Sequence, residues 1–295
     1  MVSTEAYNEH RPLLFSLAYR MLGSVADAED IVQEAFLRWH KATETSDEQA
    51  IRSPRSYLST IVTRLCIDQL RSARVRREVY VGPWLPEPLV EPGHADPTEE
   101  LELADSLSVA FMVLLESLSP EERAVFLLRQ VFDYDYGEIA RIVNKSEANC
   151  RQMVHRAQQH IAERRPRFSA TPEQREQLTH TFIQTCANGD MQGLLSLLTQ
   201  DIVLYSDGGG KVQAARNPIY GPDKVARFIL GALGKLPPGA RYRVKTATVN
   251  GQMGVVAYLN DEPNTVLSLD IAEGRIQGVY LVVNPDKLQH IPEIE

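Results

Sequence analysis

From residue 5 to residue 161 apolar positions recur every three or four residues, a helical spacing; beyond residue 200 they alternate, as in strands with one buried face. The first helix keeps Leu13, Leu14, Leu17, Ala18 and Met21 in register and stops at Gly23. Ser24 then sits as an N-cap, with Asp27 three residues on in a capping-box-like arrangement. The helix that follows buries Val25, Ala28, Ile31, Ala35 and Trp39 and turns Asp27, Asp30, Gln33, Glu34 and Arg38 to solvent. A polar loop over residues 42–53 leads to Pro54, at a first helical position where its missing N–H costs nothing. The third helix runs to about Arg74 with Leu58, Ile61, Val62, Leu65 and Leu70 inside. Residues 99–131 predict two more helices, divided where Ser119 caps, Pro120 takes the first position and Glu122 the third.

The stretch from Tyr136 to His160 carries a sharper pattern. A short helix places Ile139, Ala140 and Val143 on one side, and Asn144 follows where a tight turn needs a left-handed residue. Ser146 caps a second helix, with Glu147 in its first turn, where a carboxylate suits the helix dipole. That helix turns Val154, Ala157 and Ile161 inward and leaves Asn149, Arg151, Gln152, His155 and Arg156 outside. Two helices, a short turn and a polar second helix form the layout of a helix-turn-helix, whose outer side chains are types that read base edges or hold phosphates. A solvated helical hairpin is the plainer reading of the same pattern.

Between Val79 and Pro97 prolines and glycines break the pattern, which predicts an extended linker; Trp84 and Leu85 within it are costly to leave in water, so part of it docks on a surface. Thr171-Pro172 opens a helix to about Asn188, Gly189-Asp190 breaks it, and a second covers Met191 to Leu198. Strands are predicted at 202–206, 241–250, 253–259, 265–271 and 276–283, with turns at Asn250-Gly251 and Glu273-Gly274 and a helix over 222–233. Helices leading into a curved, mainly antiparallel sheet make an α+β domain with a cone-like interior.

Length sets two or three domains for 295 residues. A mean hydropathy of −0.25 and the lack of a long apolar run or signal-peptide pattern lead to the expectation of a cytoplasmic protein with no membrane role. Cys66, Cys150 and Cys186 are scattered without metal or disulfide spacing. The net charge of −8 is unevenly spread. Seven arginines (52, 55, 64, 71, 74, 76 and 77) face one acid, Asp68, between residues 52 and 77, and a second basic island spans 136–167. Two basic islands in an acidic chain suggest two DNA contacts made only when something else places the protein. Arginines and Tyr57 beside a polar loop suit capture of an unstacked base on single-stranded DNA.

These residues carry a resemblance. Asp27 to Trp39 (DAEDIVQEAFLRW), the arginine helix, and Leu118 to Val143 (LSPEERAVFLLRQVFDYDYGEIARIV) with the helix after it resemble an extracytoplasmic-function (ECF) sigma factor, which keeps only sigma domains two and four. Residues 171–290 look like a SnoaL-like domain of the NTF2-like fold. WLPEP (Trp84, Leu85, Pro86, Glu87, Pro88), DGGGK (Asp207, Gly208, Gly209, Gly210, Lys211) and NPDKL (Asn284, Pro285, Asp286, Lys287, Leu288) are similar to signatures of the SigJ-type subgroup with that domain fused. The resemblance implies a multidomain chain: an all-α sigma-2 bundle (1–77), a Pro-rich linker (78–98), an all-α sigma-4 helix-turn-helix (99–165) and an α+β NTF2-like cone domain (171–290).

It further implies that Asp27, Asp30, Gln33, Glu34, Phe36, Leu37 and Arg38 dock on the β′ clamp helices of core RNA polymerase, with the β flap as a second contact. Arg52, Arg55, Tyr57, Arg64, Arg71, Arg74, Arg76 and Arg77 would hold the −10 promoter element. Ser146, Glu147, Asn149, Arg151, Gln152, His155 and Arg156 would enter the −35 major groove. Asn144 departs from the glycine expected in the turn. In such proteins the appended domain regulates in cis, so no separate anti-sigma factor is required, and the DGGGK loop is expected to contact the linker or sigma domain two, for instance through an acidic side chain such as Glu87. No enzyme activity, catalytic residue, cofactor or metal is implied. The alternative is a conventional DNA-binding regulator fused to a ligand-sensing or enzymatic NTF2-like domain. Asp190, Asp201, Asp207, Asp223 or Asp270 would then be the base, Tyr205, Tyr242 or Tyr258 the proton donor, and a small ligand the partner.

Overall fold

Gly23 ends the first helix with a backbone only glycine adopts without strain: its φ is +70°, and its N–H reaches the Tyr19 carbonyl at 2.7 Å. The computed structural model describes residues 2–45, 53–77, 80–91, 106–162 and 170–292. The chain divides into two units, Met1–Val79 with Leu114–Arg165, and Tyr80–Val113 with Pro166–Glu295.

In the first unit α1 (Val2–Leu22), α2 (Val25–Thr45) and α3 (Pro54–Arg77) pack as a bundle. Ser24 Oγ caps α2 by accepting from Asp27 N–H at 3.3 Å. Leu14, Leu17, Ala18 and Met21 of α1, with Ala28, Ile31, Ala35 and Trp39 of α2, are buried as their spacing predicts. On α3, Leu58, Val62 and Leu70 are buried, but Ile61 and Leu65 are only half-buried, and Ser59, Thr63, Cys66 and Ile67 are buried too. The buried stripe is displaced because α3 packs against further helices as well as against α1 and α2.

Those further helices follow α4 (Val109–Leu115): α5 (Pro120–Gln130), α6 (Tyr136–Val143) and α7 (Glu147–Ala162). Ser119 and Glu122 form the expected capping box of α5, and Asp135 with Glu138 forms another for α6. Asn144 closes α6 in the left-handed conformation, φ +54° and ψ +52°. Inward positions on α6 are Ile139 and Ile142; Ala140 and Val143 are half-buried, a one-residue shift of the expected face.

The second unit contains α8 (Pro172–Ala187), α9 (Met191–Leu197), α10 (Pro222–Leu233) and one seven-stranded sheet. Its strands are β1 (Val90–Glu91), β2 (Leu198–Asp207), β3 (Ile219–Tyr220), β4 (Tyr242–Val249), β5 (Gln252–Leu259), β6 (Glu262–Ala272) and β7 (Arg275–Val282), in the order β1-β4-β5-β6-β7-β2-β3. All neighbours are antiparallel except β2 and β7. Asn250-Gly251 and Glu273-Gly274 form the predicted turns, both residues of each at positive φ. Alternation splits the apolar side chains between two faces. Leu204, Leu269 and Val279 face Phe182, Leu194, Val225 and Ile229 of the helices. Val256, Val266, Tyr280 and Val282 pack with Leu85, Val109, Leu288 and Ile291.

The stretch expected to be an extended linker docked in part on a surface lies, over residues 80–91, in this unit with Leu85 packed on the second face, and Val109, Ala110 and Val113, from the stretch expected to be the 99–165 domain, pack there as well. Apolar Leu85 and Val109 find their burial there. No described helix is long and apolar enough to cross a membrane.

Candidate functional site

The outer face of α7 stands clear. Glu147, Asn149, Arg151, Gln152, His155 and Arg156 are exposed, as is Ser146, while Cys150, Met153, Val154, Ala157 and Ile161 anchor the opposite face. Ser146 Oγ accepts from Asn149 N–H at 3.3 Å, which fixes the start of the helix. Arg151 is pre-positioned: it pairs with Glu147 at 2.8 Å and lies over the Tyr136 ring at 4.9 Å. Arg156 lies 3.8 Å from Glu122.

On α2, Asp30, Gln33, Leu37 and Arg38 share an exposed face, and Leu37, 54% exposed, is a large apolar side chain left in water. Glu34 holds Arg38 at 2.7 Å. Asp27 is half-buried, and Phe36 packs on Tyr7 with ring centres 4.6 Å apart.

The α3 arginines behave differently. Arg55 donates to the Phe132 carbonyl at 3.2 Å and covers the Tyr134 ring at 4.8 Å. Arg64 donates to the Ile142 carbonyl at 2.9 Å and the Arg141 carbonyl at 3.0 Å, and Arg71 pairs with Glu121. Tyr57 tilts against Trp39 with ring centres 5.7 Å apart. Arg52 lies outside the described residues, as do the side chains of Arg74, Arg76 and Arg77.

A third cluster surrounds Asp207 at the end of β2. Its carboxylate is fully buried and accepts from Tyr80 OH at 2.6 Å, Gly209 N–H at 3.0 Å, Leu85 N–H at 2.9 Å and Lys287 Nζ at 2.8 Å. Burial, with the bond to this carboxylate, pushes the Tyr80 hydroxyl well above its ordinary range, so it remains a donor. Asn284 Nδ2 donates to Tyr80 OH at 3.1 Å. Gly209 is dictated twice over: its φ is +59°, and a Cβ there would meet Asn284 Nδ2 at 2.3 Å. Leu85, Pro86, Glu87 and Pro88 are buried, and Trp84 is half-buried under Lys287.

The expected DGGGK–Glu87 contact is corrected by this geometry. Lys211 pairs instead with Asp286, at 2.5 Å, and Glu87 faces His290 at 3.4 Å. The motif meets the linker through its acid, because Asp207 ends a strand pointing into the unit while Gly210 and Lys211 lie on its surface.

Comparison with known proteins shows the family of the chain. Residues 6–76 match Sigma-70 region 2, and residues 108–161 match Sigma-70, region 4. The ECF RNA polymerase sigma factor SigJ of Mycobacterium tuberculosis is 37% identical over 98% of this chain and 93% of its own. The chain belongs to the ECF RNA polymerase sigma factors. The SigG ECF sigma factor of the same organism is 32% identical over 68% of this chain and 59% of its own. The crystal structure of SigJ matches with a TM-score of 0.75 at 35% identity, covering 97% of this chain and 98% of that one. As an ECF sigma factor the protein works with core RNA polymerase and promoter DNA through regions 2 and 4.

Several site residues escaped the sequence reading. Tyr80 and Asn250 both fasten the linker: Asn250 accepts from Leu89 N–H through Oδ1 at 3.1 Å and returns its own N–H to the Leu89 carbonyl at 2.8 Å. Asn250 looked like a turn residue only, and it is one as well. Buried Arg123 was also missed; it donates to the carbonyls of Met21, at 2.6 Å, and Leu115, at 3.0 Å, and to Glu116 at 2.7 Å. Burial pushes its guanidinium down to about 9, which leaves it charged at neutral pH.

Proposed function

We propose that this cytoplasmic sigma factor is restrained in cis by its α+β domain, which withholds the linker from core polymerase, and that no separate anti-sigma factor is needed. The observation that carries the reading is Asp207. A fully buried carboxylate is costly unless every lone pair is used, and two of its four donors, Tyr80 OH and Leu85 N–H, come from the linker. Releasing the linker would strip those donors away, so restraint and burial are coupled.

The remaining assignments follow from surface chemistry. The α2 face with exposed Leu37 suits the β′ clamp helices, with Phe36 supporting it from behind, and region 4 suits the β flap. The α7 face suits the −35 major groove. Arg55, Tyr57, Arg64 and Arg71, with Arg52, Arg74, Arg76 and Arg77 along the same stretch, suit the −10 element.

The acids considered for an enzymatic or ligand-sensing reading have other work in the fold. Asp190 caps α9 by accepting from Gly193 N–H, Asp223 pairs with Arg227, Asp270 accepts from Gln277, and Asp201 is exposed. Tyr258 OH donates to the Pro292 carbonyl. We therefore favour linker capture over catalysis.

The test compares core polymerase binding by the full chain and by Asp207→Asn, with hydrogen exchange of the Leu85 and Leu89 amides as the check on linker release. Restraint predicts faster exchange and tighter polymerase binding in the variant. Faster exchange with weaker binding would make the domain a support, and faster exchange with unchanged binding would remove the linker from regulation.

A further inference from the structure

The α3 arginines are occupied by groups that imitate the ligand proposed for them. Region 4 offers Arg64 two carbonyl oxygens, Arg141 and Ile142, at the C-terminal end of α6. Carbonyls in that last turn have no intrahelical partner and sit at the negative end of the helix dipole, so they present a cation with much of what a phosphate presents. Arg71 receives a carboxylate, Glu121. Arg55 receives a carbonyl oxygen from Phe132 and, beneath its guanidinium plane, the ring of Tyr134, as it would receive a phosphate oxygen and an unstacked base.

We propose that region 4 competes with single-stranded promoter DNA for the α3 arginines, so that in the free protein their hydrogen-bonding groups are occupied by an internal mimic of nucleic acid. The proposal rests on the assignment of α3 to the −10 element. The contact continues on either side of the arginines. Ser59 Oγ and Tyr134 OH are hydrogen-bonded at 2.7 Å, Arg20 lies 5.7 Å from the centre of the Phe132 ring, and Arg123 reaches back to the last turn of α1 at Met21. Beside it lies an open groove of about 410 Å³ lined by residues including Leu70, Glu116, Leu118 and Arg123. The arginine pairs lie at the exposed margin of this junction, where ion pairs are weak and a competing anion can reach them. The α7 reading face takes no part in these contacts, and Arg55, Arg64 and Arg71 themselves stay solvent-exposed, so the competition is for their hydrogen-bonding groups and not for access to them.

The test loosens region 4 without touching the arginines. Glu121→Gln and Tyr134→Phe together remove the charge opposite Arg71 and the hydroxyl bonded to Ser59, and both keep their shape. Binding of short single-stranded oligodeoxynucleotides of randomised sequence is measured by fluorescence anisotropy on the full chain at fixed low salt. The double variant is expected to bind about fivefold more tightly than the parent. In parallel, spin labels at Ser72→Cys and Gln158→Cys in a Cys186→Ser background report the distance between α3 and α7. Adding the oligonucleotide should lengthen that distance in the otherwise unaltered protein, which does not depend on the double variant folding.

No tightening in the double variant, or binding with an unchanged distance, overturns the competition. Tightening that survives added Arg64→Ala and Arg71→Ala overturns instead the assignment of α3 to the −10 element. Tightening abolished by those two substitutions, with a lengthened distance, supports both.

Discussion

The ammonium nitrogen of Lys287 stands 4.2 Å from the centre of the Trp84 ring, so a linker aromatic covers the cation that neutralises Asp207. Lys287 is only 13% exposed and Asp207 not at all, which makes this a desolvated pair. Removing one partner of such a pair strands the other. Lys287→Met keeps the aliphatic stem and is expected to lower the free energy of linker opening by about 3 kcal/mol. The measurement is the exchange rate of the Leu85 and Leu89 amides; unchanged rates would mean that the remaining donors suffice.

Asn144 sits in a conformation that costs an ordinary L-residue energy. Asn144→Gly is therefore expected to leave stability within about 0.5 kcal/mol of the parent, and Asn144→Ala to cost about 1 kcal/mol. Thermal unfolding of the full chain ranks the three proteins.

Glu121 gives the junction a dependence on pH. Burial alone would raise its carboxyl, but hydrogen bonds from Arg71 and the backbone, with the charges of Arg71 and Lys145, hold it below the ordinary range. Asp68 stands 3.7 Å from the same Arg71 and shares that charge. A carboxyl lowered on folding contributes stability above its unfolded value, and that contribution disappears as pH falls through the folded value. Acidification below the ordinary carboxylate range should therefore lengthen the label distance between α3 and α7 in the parent more than in Glu121→Gln. Equal responses would assign the effect to other carboxylates.

Arg151→Ala and Arg156→Ala should each weaken binding of holoenzyme to duplex DNA carrying the −35 element, by about 1–3 kcal/mol for a base contact. Polymerase binding should not change, because the outer face of α7 that carries both side chains is assigned to DNA and not to the clamp-helix or flap contacts. Arg151 is already fixed by Glu147 and Tyr136, so Glu147→Gln should reproduce part of its loss. Equal loss of polymerase and DNA binding would remove the assignment.

Much of the fold could be read from local chemistry. Ser119-Pro120 and Thr171-Pro172 mark helix starts because caps and proline act within one turn, and both form full capping boxes. Asn250-Gly251 and Glu273-Gly274 mark turns for the same local reason. The third hairpin turn, Asn260-Asp261, lacks glycine and was missed, although both residues adopt positive φ. Short β1 and β3 were also invisible, since two residues carry no period. Of the site, the α7 face was legible because one helix presents it whole. The role of Asp207 was not, because its donors lie at Tyr80, Leu85 and Lys287, far apart in the chain. The same limit hid the partners of Arg55, Arg64 and Arg71, three of which are backbone carbonyls that no side-chain pattern advertises.

The linker is fastened at successive points: the Asp207 cluster at Leu85, the paired bonds between Leu89 and Asn250, and two rungs of ladder at Val90 and Glu91. Attachments in series need not break together. A segment peeled from its Val90 end loses the two rungs first, then the Leu89 pair, and meets the charged cluster last. Its dwell time is then governed by the slowest single step, and partial detachment reseals quickly while Leu85 remains seated. A partner able to grip only the end of the linker would thus tug without consequence, and one that reached Leu85 would detach the last of these points.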